Sequence, residues 1–220
     1  MKAIKKRNLP DIQTSLPGSK SNMLIQKYVE CFGTRMRPRM AVNKAYGCIL
    51  EDVDGNKFLD FSQAICVTGH SLPEIINSSI DQTRKMITRG PGAVPFLECA
   101  KLLLSNLSGE LCHGRVNYCV SGTEAVELAI SLARTYTKRP IILSYIDSHH
   151  GLIGTPNQLS SDPRIKGTWN TKISDSIHIP YPTCYRCLFK KQYPDCDLLC
   201  LGFLENILET VVSPNQVAGL

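Results

Sequence analysis

The chain has 220 residues, 43% of them hydrophobic, and its 25 Lys and Arg against 19 Asp and Glu give a formal charge of +6. That is apolar material for one large domain with an accessory piece, and its dispersed basic charge, with a run only at Lys5-Lys6-Arg7, argues against a nucleic-acid footprint. No apolar run approaches membrane-spanning length and the first residues lack the apolar core of a secretory signal, so neither membrane nor export is expected and the location is read as cytoplasmic.

Residues 1–22 are polar, with Pro10, Pro17 and Gly18, and read as an arm. From Gly47, Cys48-Ile49-Leu50-Glu51 and Lys57-Phe58-Leu59-Asp60-Phe61 flank Asp54-Gly55, which predicts a β-hairpin. Pro73 opens a helix with Ile75, Ile76, Ile80 and Met86 at roughly helical spacing. After the Gly90-Pro91-Gly92 break, Phe96, Leu97, Ala100, Leu103, Leu104 and Leu107 mark a second amphipathic helix, closed by Ser108-Gly109.

Val116 to Val120 reads as a buried strand. The helix beginning at Thr123 carries Ala125, Ala129, Leu132 and Tyr136 on one face, widened by Val126, Ile130 and Ala133, and Pro140 stops it. Ile141 to Ile146 is a continuous apolar run of the kind buried on both faces of a sheet. Strand, helix and strand of these lengths predict a right-handed crossover in a parallel sheet. Residues 151–176, rich in Gly, Pro, Asn and Ser, read as a long loop of the kind that often carries function. A short strand over 176–180, a helix built on Leu198, Leu199, Leu201, Leu204, Ile207 and Leu208, and the beginning of a strand at Val217 complete the pass.

The chemistry concentrates in Tyr118-Cys119-Val120-Ser121-Gly122-Thr123-Glu124-Ala125-Val126-Glu127, a small polar turn feeding an amphipathic helix. Gly122 permits close approach of backbone to ligand, Ser121 and Thr123 offer hydroxyls, and the first N–H groups of the helix carry the positive end of its dipole. These residues suit an anion. Ser121 with Glu124 three positions on is equally an ordinary capping box, and the local sequence leaves both readings open.

Four blocks in order resemble the class III aminotransferases, fold-type-I enzymes that use pyridoxal phosphate. Gly47 through Phe61 is similar to the family's amino-terminal hairpin, and Gly69-His70-Ser71-Leu72-Pro73 to the segment after it. Ser121 to Glu127, with Ala133-Arg134 and Tyr136-Thr137, resembles the phosphate-binding turn and helix, and His149-His150-Gly151 stands where the family has an aromatic residue, His and Gly. The resemblance implies an α/β fold with a mainly parallel sheet flanked by helices, preceded by the amino-terminal segment of a smaller α+β domain. The chain then divides into an arm at 1–22, a small-domain segment at 23–75 and an incomplete cofactor-binding large domain at 76–220.

It further implies that Ser121, Gly122 and Thr123 hold the cofactor phosphate, that His149 packs on the pyridine ring, and that Ile65 lies near the substrate pocket, although an apolar residue there also suits a core. The implied reaction moves an amino group from an amino acid or omega-amino acid to a 2-oxo acid, in a homodimer. Two departures stand out. His149 replaces the usual Tyr or Phe, and Leu152 follows the His-Gly pair where 4-aminobutyrate-type members carry an Arg for a substrate carboxylate. The family's Lys that forms the Schiff base, and its Asp for the ring nitrogen, have no counterpart in these residues, so no catalytic residue is assigned and the chain is expected to be inactive alone, as the amino-terminal part of such an enzyme. Racemases and aminomutases share the architecture and are the enzymatic alternative. His70 is read as capping or packing beside the turn at Gly69, and His150 as a structural hydrogen-bonder.

Of ten Cys, Cys31, Cys48, Cys66, Cys99, Cys112 and Cys119 read as small core residues. The other four, Cys184, Cys187, Cys196 and Cys200, lie in a Cys-rich insert over 181–200 with pair spacings that tetrahedral thiolate sites use. Zinc, disulfides and simple buried thiols are all compatible with that spacing. A non-enzymatic zinc module with Arg186, Lys190 and Lys191, binding a partner or nucleic acid, is the remaining alternative.

Overall fold

The structure, a computed structural model, describes residues 9–34, 37–62, 67–86, 92–163 and 175–220. The chain divides into two units, Met1–Leu97 and Glu98–Leu220. In the first, helix α1 (Ser19–Phe32) begins within the stretch read as an arm. Its N-cap is Gly18, which has no side chain to cap with, and the carboxylate of Asp54 does the work from the hairpin turn. Asp54 accepts from the Lys20 and Ser21 N–H groups at 3.0 and 2.8 Å, satisfying donors that a helix start leaves orphaned. A helix whose cap comes from 34 residues away leaves no local sequence signal.

The predicted hairpin is present as β2 (Ile49–Asp52) and β3 (Lys57–Leu59), antiparallel with Ile49 opposite Leu59. A third strand, β1 (Val42–Tyr46), pairs antiparallel with β2. It is mostly exposed and polar, so no alternating apolar pattern announces it. Buried Asn56 ties residues 13 and 14 to this sheet. Its Oδ1 accepts from the Gln13 and Thr14 N–H groups at 2.7 and 3.0 Å, and its Nδ2 donates to Asp52 at 2.8 Å. His70 pairs with Asp60 at 2.7 Å while its backbone bridges Gly47, a structural role. Helix α2 (Pro73–Lys85) starts at Pro73, but Ile75, Ile76 and Ile80 are exposed.

Helix α3 (Val94–Ser105) lies across the division point. In the second unit, the expected strand at 116–120 is coil. Its apolar run has strand composition, but a strand exists only where a neighbour shares its ladder, and among the described residues no ladder includes it. Helix α4 (Gly122–Thr137) leads to β4 (Ile141–Tyr145), helix α5 (Gly154–Leu159), β5 (Ser176–Ile179), helix α6 (Leu199–Thr210) and β6 (Val217–Gly219). The sheet order is β5-β4-β6, with both pairs parallel: Leu143 stands opposite Ile177, and Ile141 opposite Val217. The α/β class and parallel sheet are as expected, with strands that follow α4 in place of the one before it.

The core of this sheet is Ile130, Ile142 and Leu159, with Val126, Ala133 and Ala218 against it. The inward face of α4 is thus its Val126, Ile130 and Ala133 side. Leu132 and Tyr136, expected on the main buried face, are 54% and 90% exposed. With apolar residues over so wide an arc, the helical period fixes the helix and leaves the choice of face to its neighbours. The six scattered Cys also differ from expectation. Cys31, Cys48 and Cys99 are exposed, Cys112 and Cys119 are partly exposed, and Cys66 lies outside the described residues.

Candidate functional site

Ser121 caps α4 with extended backbone, φ −143° and ψ 159°, and its Oγ accepts from the Glu124 N–H at 3.2 Å. The Glu124 carboxylate turns back to accept from Val120 N–H at 2.6 Å. The capping box is therefore present, and it leaves other donors at the helix start unused. The box uses the Glu124 N–H and a Ser121 lone pair; helix geometry leaves the Gly122 and Thr123 N–H groups directed past the helix end, and the Ser121 hydroxyl keeps its proton to donate. A Cβ placed on Gly122 would meet nothing within 4 Å, so there is open space beside the backbone where an anion could approach.

The segment after β4 folds against this helix. Gly151 is buried at φ 151°, and a Cβ there would fall 2.6 Å from Thr123 Oγ1 and 2.9 Å from Pro156 Cβ. Only glycine allows the loop so close to the phosphate-type turn. One helical turn further along α4, the Glu127 carboxylate accepts from the Thr155 N–H at 3.0 Å and the Thr155 hydroxyl at 2.8 Å. A further turn along, Ile130 packs in the core with Leu159. Thr123, Glu127 and Ile130 share one face of α4, and they receive Gly151, Thr155 and Leu159 in order.

A buried hydroxyl holds the rest of the loop. Ser144 Oγ donates to the Leu159 carbonyl at 2.7 Å, so at 3.2 Å it accepts from His150 Nε2–H, which sets that tautomer. The His150 N–H donates to Ser160 Oγ at 2.9 Å. Burial first, and then the neighbouring His149, hold the His150 pKa below the ordinary imidazole value. His150 is thus a neutral hydrogen-bonder within the loop, while its neighbour His149 is exposed and leaves its ring available.

The structure brings the turn 121–123 and the loop 149–151 together through Thr123 and Gly151. The stretch read as a long loop contains α5, whose Thr155, Pro156, Asn157 and Leu159 are buried. Its polar composition suggests solvent exposure, but Asn157 and Ser160 bond to carbonyls within the segment and Thr155 bonds to Glu127 on α4, a partner out of reach of a local reading. Glu127 and Thr155 are the site residues that sequence reasoning passes over, although Glu127 lies inside the singled-out run. Ile65 lies outside the described residues.

Cys184, Cys187, Cys196 and Cys200 line one largely apolar cavity with Tyr181, Phe189 and Tyr193. They are free thiols. Among the described residues no group of three or more His, Cys, Asp or Glu side chains is placed to share a metal ion, so the zinc expectation lacks support. Cys184 opens a 3-10 turn that ends at Arg186, Cys187 follows it, and Cys196 precedes α6. The sequence spacing brings the four to one cavity without converging their sulfurs. Among the described residues no helix is long and apolar enough to cross a membrane.

The model of one family, aminotransferase class-III, matches residues 33–220. A leucine/methionine racemase of Thermococcus litoralis is 29% identical over 90% of this chain and 46% of its own length. An isoleucine 2-epimerase of Lentilactobacillus buchneri is 31% identical over 81% of this chain and 41% of its own. The solved structure of a taurine:2-oxoglutarate aminotransferase from Bifidobacterium kashiwanohense, in complex with PLP and glutamate, superposes with a TM-score of 0.75 at 23% identity, covering 94% of this chain and 47% of that one. The chain spans a little under half the length of these relatives.

Proposed function

This chain belongs to the class III aminotransferases, and on that premise we propose that its Ser121-Gly122-Thr123 turn holds the phosphate of pyridoxal phosphate while the His149 ring lies against the pyridine. The observation that carries the reading is the pairing of open space at Gly122 with a donor set made only of N–H and O–H groups at a helix start. That set suits a dianionic phosphate, which gains from both the hydrogen bonds and the helix dipole. The residues present fit the group: two backbone N–H donors, the Ser121 and Thr123 hydroxyls, and an exposed imidazole one loop away.

When bound, pyridoxal phosphate supplies an electron sink that weakens bonds at the α-carbon of an amino substrate. The part of this chain is to bind and orient. The turn anchors one end, and the Thr123–Gly151 contact fixes the loop two residues after His149. His150, kept neutral by burial, adds no positive charge beside it. We propose amino-group transfer from an amino acid or omega-amino acid to a 2-oxo acid as the reaction of the complete assembly, a cytoplasmic homodimer.

A second reading, racemisation of an amino acid, is favoured by two observations. The curated relatives described above are a racemase and an epimerase of apolar amino acids, and Leu152, exposed after the His-Gly pair, offers no charge to a second substrate carboxylate.

The test is competition binding with the 220-residue chain. Pyridoxal phosphate should bind saturably and be displaced by inorganic phosphate and pyridoxine phosphate, whereas pyridoxal, which lacks the phosphate, should bind at least tenfold more weakly. Equal binding of pyridoxal would overturn the phosphate assignment. Chiral analysis of an amino acid incubated with the complete assembly, with and without a 2-oxo acid, separates the two reactions. Inversion without a 2-oxo acid identifies racemisation.

A further inference from the structure

We propose that Glu127 is a positioning residue that locks the His149 loop onto the phosphate turn, an inference that rests on the cofactor reading above. Its carboxylate accepts both donors of Thr155, the N–H at 3.0 Å and the hydroxyl at 2.8 Å. The same carboxylate lies 3.1 Å from where a Cβ of Gly154 would sit. Gly154 is at φ 63°, a left-handed conformation that glycine adopts without cost. So Gly154 lets the chain turn into α5 directly beneath the Glu127 carboxylate, and Thr155 is the first residue able to present two donors to it.

The geometry makes this a clamp with a direction. Glu127 lies one turn below Thr123, and Gly151, which packs on Thr123, precedes Thr155 by the same four residues. Two points of attachment fix both the distance and the angle of the loop. The His150 bonds to Ser144 and Ser160 tie the loop to β4 and to itself; Gly151 on Thr123 and Thr155 on Glu127 are what tie it to α4. His149 is two residues from the first point, so the angle of its ring over the turn depends on the second. Thr155 is buried and Glu127 partly so, which makes both carboxylate bonds costly to lose.

The clamp stands apart from the phosphate donors themselves. Glu127 touches neither the Gly122 nor the Thr123 N–H, and its two acceptor oxygens are already occupied by Thr155. Its loss should therefore spare an anion that needs only the turn, and weaken a ligand that also needs the ring partner. Glu127→Met keeps the length and most of the volume of the side chain and offers neither Thr155 donor an oxygen acceptor, whereas an amide could still accept from the N–H and donate to the hydroxyl.

The experiment compares inorganic phosphate and pyridoxal phosphate as probes of the 220-residue chain and its Glu127→Met, Thr155→Val and Thr155→Ser variants, with circular dichroism to verify that each is folded. Losing a hydrogen bond to a charged group that is partly buried predicts about tenfold weaker pyridoxal phosphate binding for Thr155→Val, and at least that for Glu127→Met, which loses both bonds. Inorganic phosphate affinity should stay within twofold, Thr155→Ser should restore the wild-type value, and the double variant E127M/T155V should be no worse than Glu127→Met alone. Equal loss for both probes, or additive losses in the double variant, would overturn the positioning role. Wild-type chain that binds pyridoxal phosphate while every variant matches it also overturns it and leaves the cofactor reading standing. Wild-type chain that binds neither probe overturns the cofactor reading itself, and this inference with it. If Glu127→Met fails to fold, the Thr155→Val and Thr155→Ser pair decides the matter alone.

Discussion

Gly151→Ala is the most discriminating single substitution, because it adds one carbon where the loop and α4 are closest. The new Cβ would stand 2.6 Å from Thr123 Oγ1, 2.9 Å from Thr123 Cγ2 and 2.9 Å from Pro156 Cβ. Ordinary carbon contacts are about 3.5–4.0 Å, so the loop must retreat by roughly 1 Å or the side chain of Thr123 must rotate away. Overpacking of this kind costs about 1–3 kcal/mol, and alanine at this backbone conformation adds strain of about 1 kcal/mol or more. A loss of about 3 kcal/mol in a unit of this size lowers the melting temperature by roughly 10 °C. Thermal unfolding followed by circular dichroism measures it. Thr123→Ala removes both Oγ1 and Cγ2, so T123A/G151A should recover part of the loss, which a double-mutant cycle quantifies. A Gly151→Ala chain that melts within about 1 °C of wild type would refute the close approach of loop and helix on which the site depends.

Three further expectations follow from the same network and from the first unit. Ser144→Ala takes from the His150 ring the hydroxyl it bonds and from the Leu159 carbonyl the shortest of its side-chain contacts, leaving it Ser148 and His178, and should cost about 1 kcal/mol by urea denaturation. The folded His150 pKa lies below its unfolded value, so the unfolded chain takes up this proton more readily; stability should fall as pH drops through and below the ordinary imidazole range, and His150→Gln should flatten that slope in melts taken between pH 7 and 5. Asn56→Ala removes the side chain that bonds residues 13 and 14 and the Asp52 carboxylate, costing about 3 kcal/mol, and amide exchange at Gln13 and Thr14 should accelerate.

What the sequence made legible is what local chemistry determines. The Asp54-Gly55 turn, Pro73 at a helix start, Ser121 with Glu124, and Pro140 before an apolar run each act within a few residues, and the elements they mark are present. Features set by distant partners were not legible. The cap of α1 comes from Asp54 through Gly18, α5 is polar yet buried because Glu127 receives Thr155, and 116–120 has the composition of a strand without a ladder to join. The face of α4 fell in the same class, since apolar residues on both sides left the choice to β4 and α5. Within the site, Ser121, Gly122 and Thr123 were visible as a motif. Glu127 was visible only as the last residue of that motif, because its role is a contact 28 residues away.

The central claim is that the start of α4 takes the phosphate of the cofactor, and amide shifts of the 15N-labelled chain on titration with pyridoxal phosphate test it most directly. The expected result is that the Gly122 and Thr123 amides move furthest, saturably, with His149 ring signals following, and that Gly122→Asp, which puts a carboxylate into the open space, abolishes all of these shifts. Saturable binding that leaves the Gly122 and Thr123 amides in place, or that survives Gly122→Asp, would contradict it.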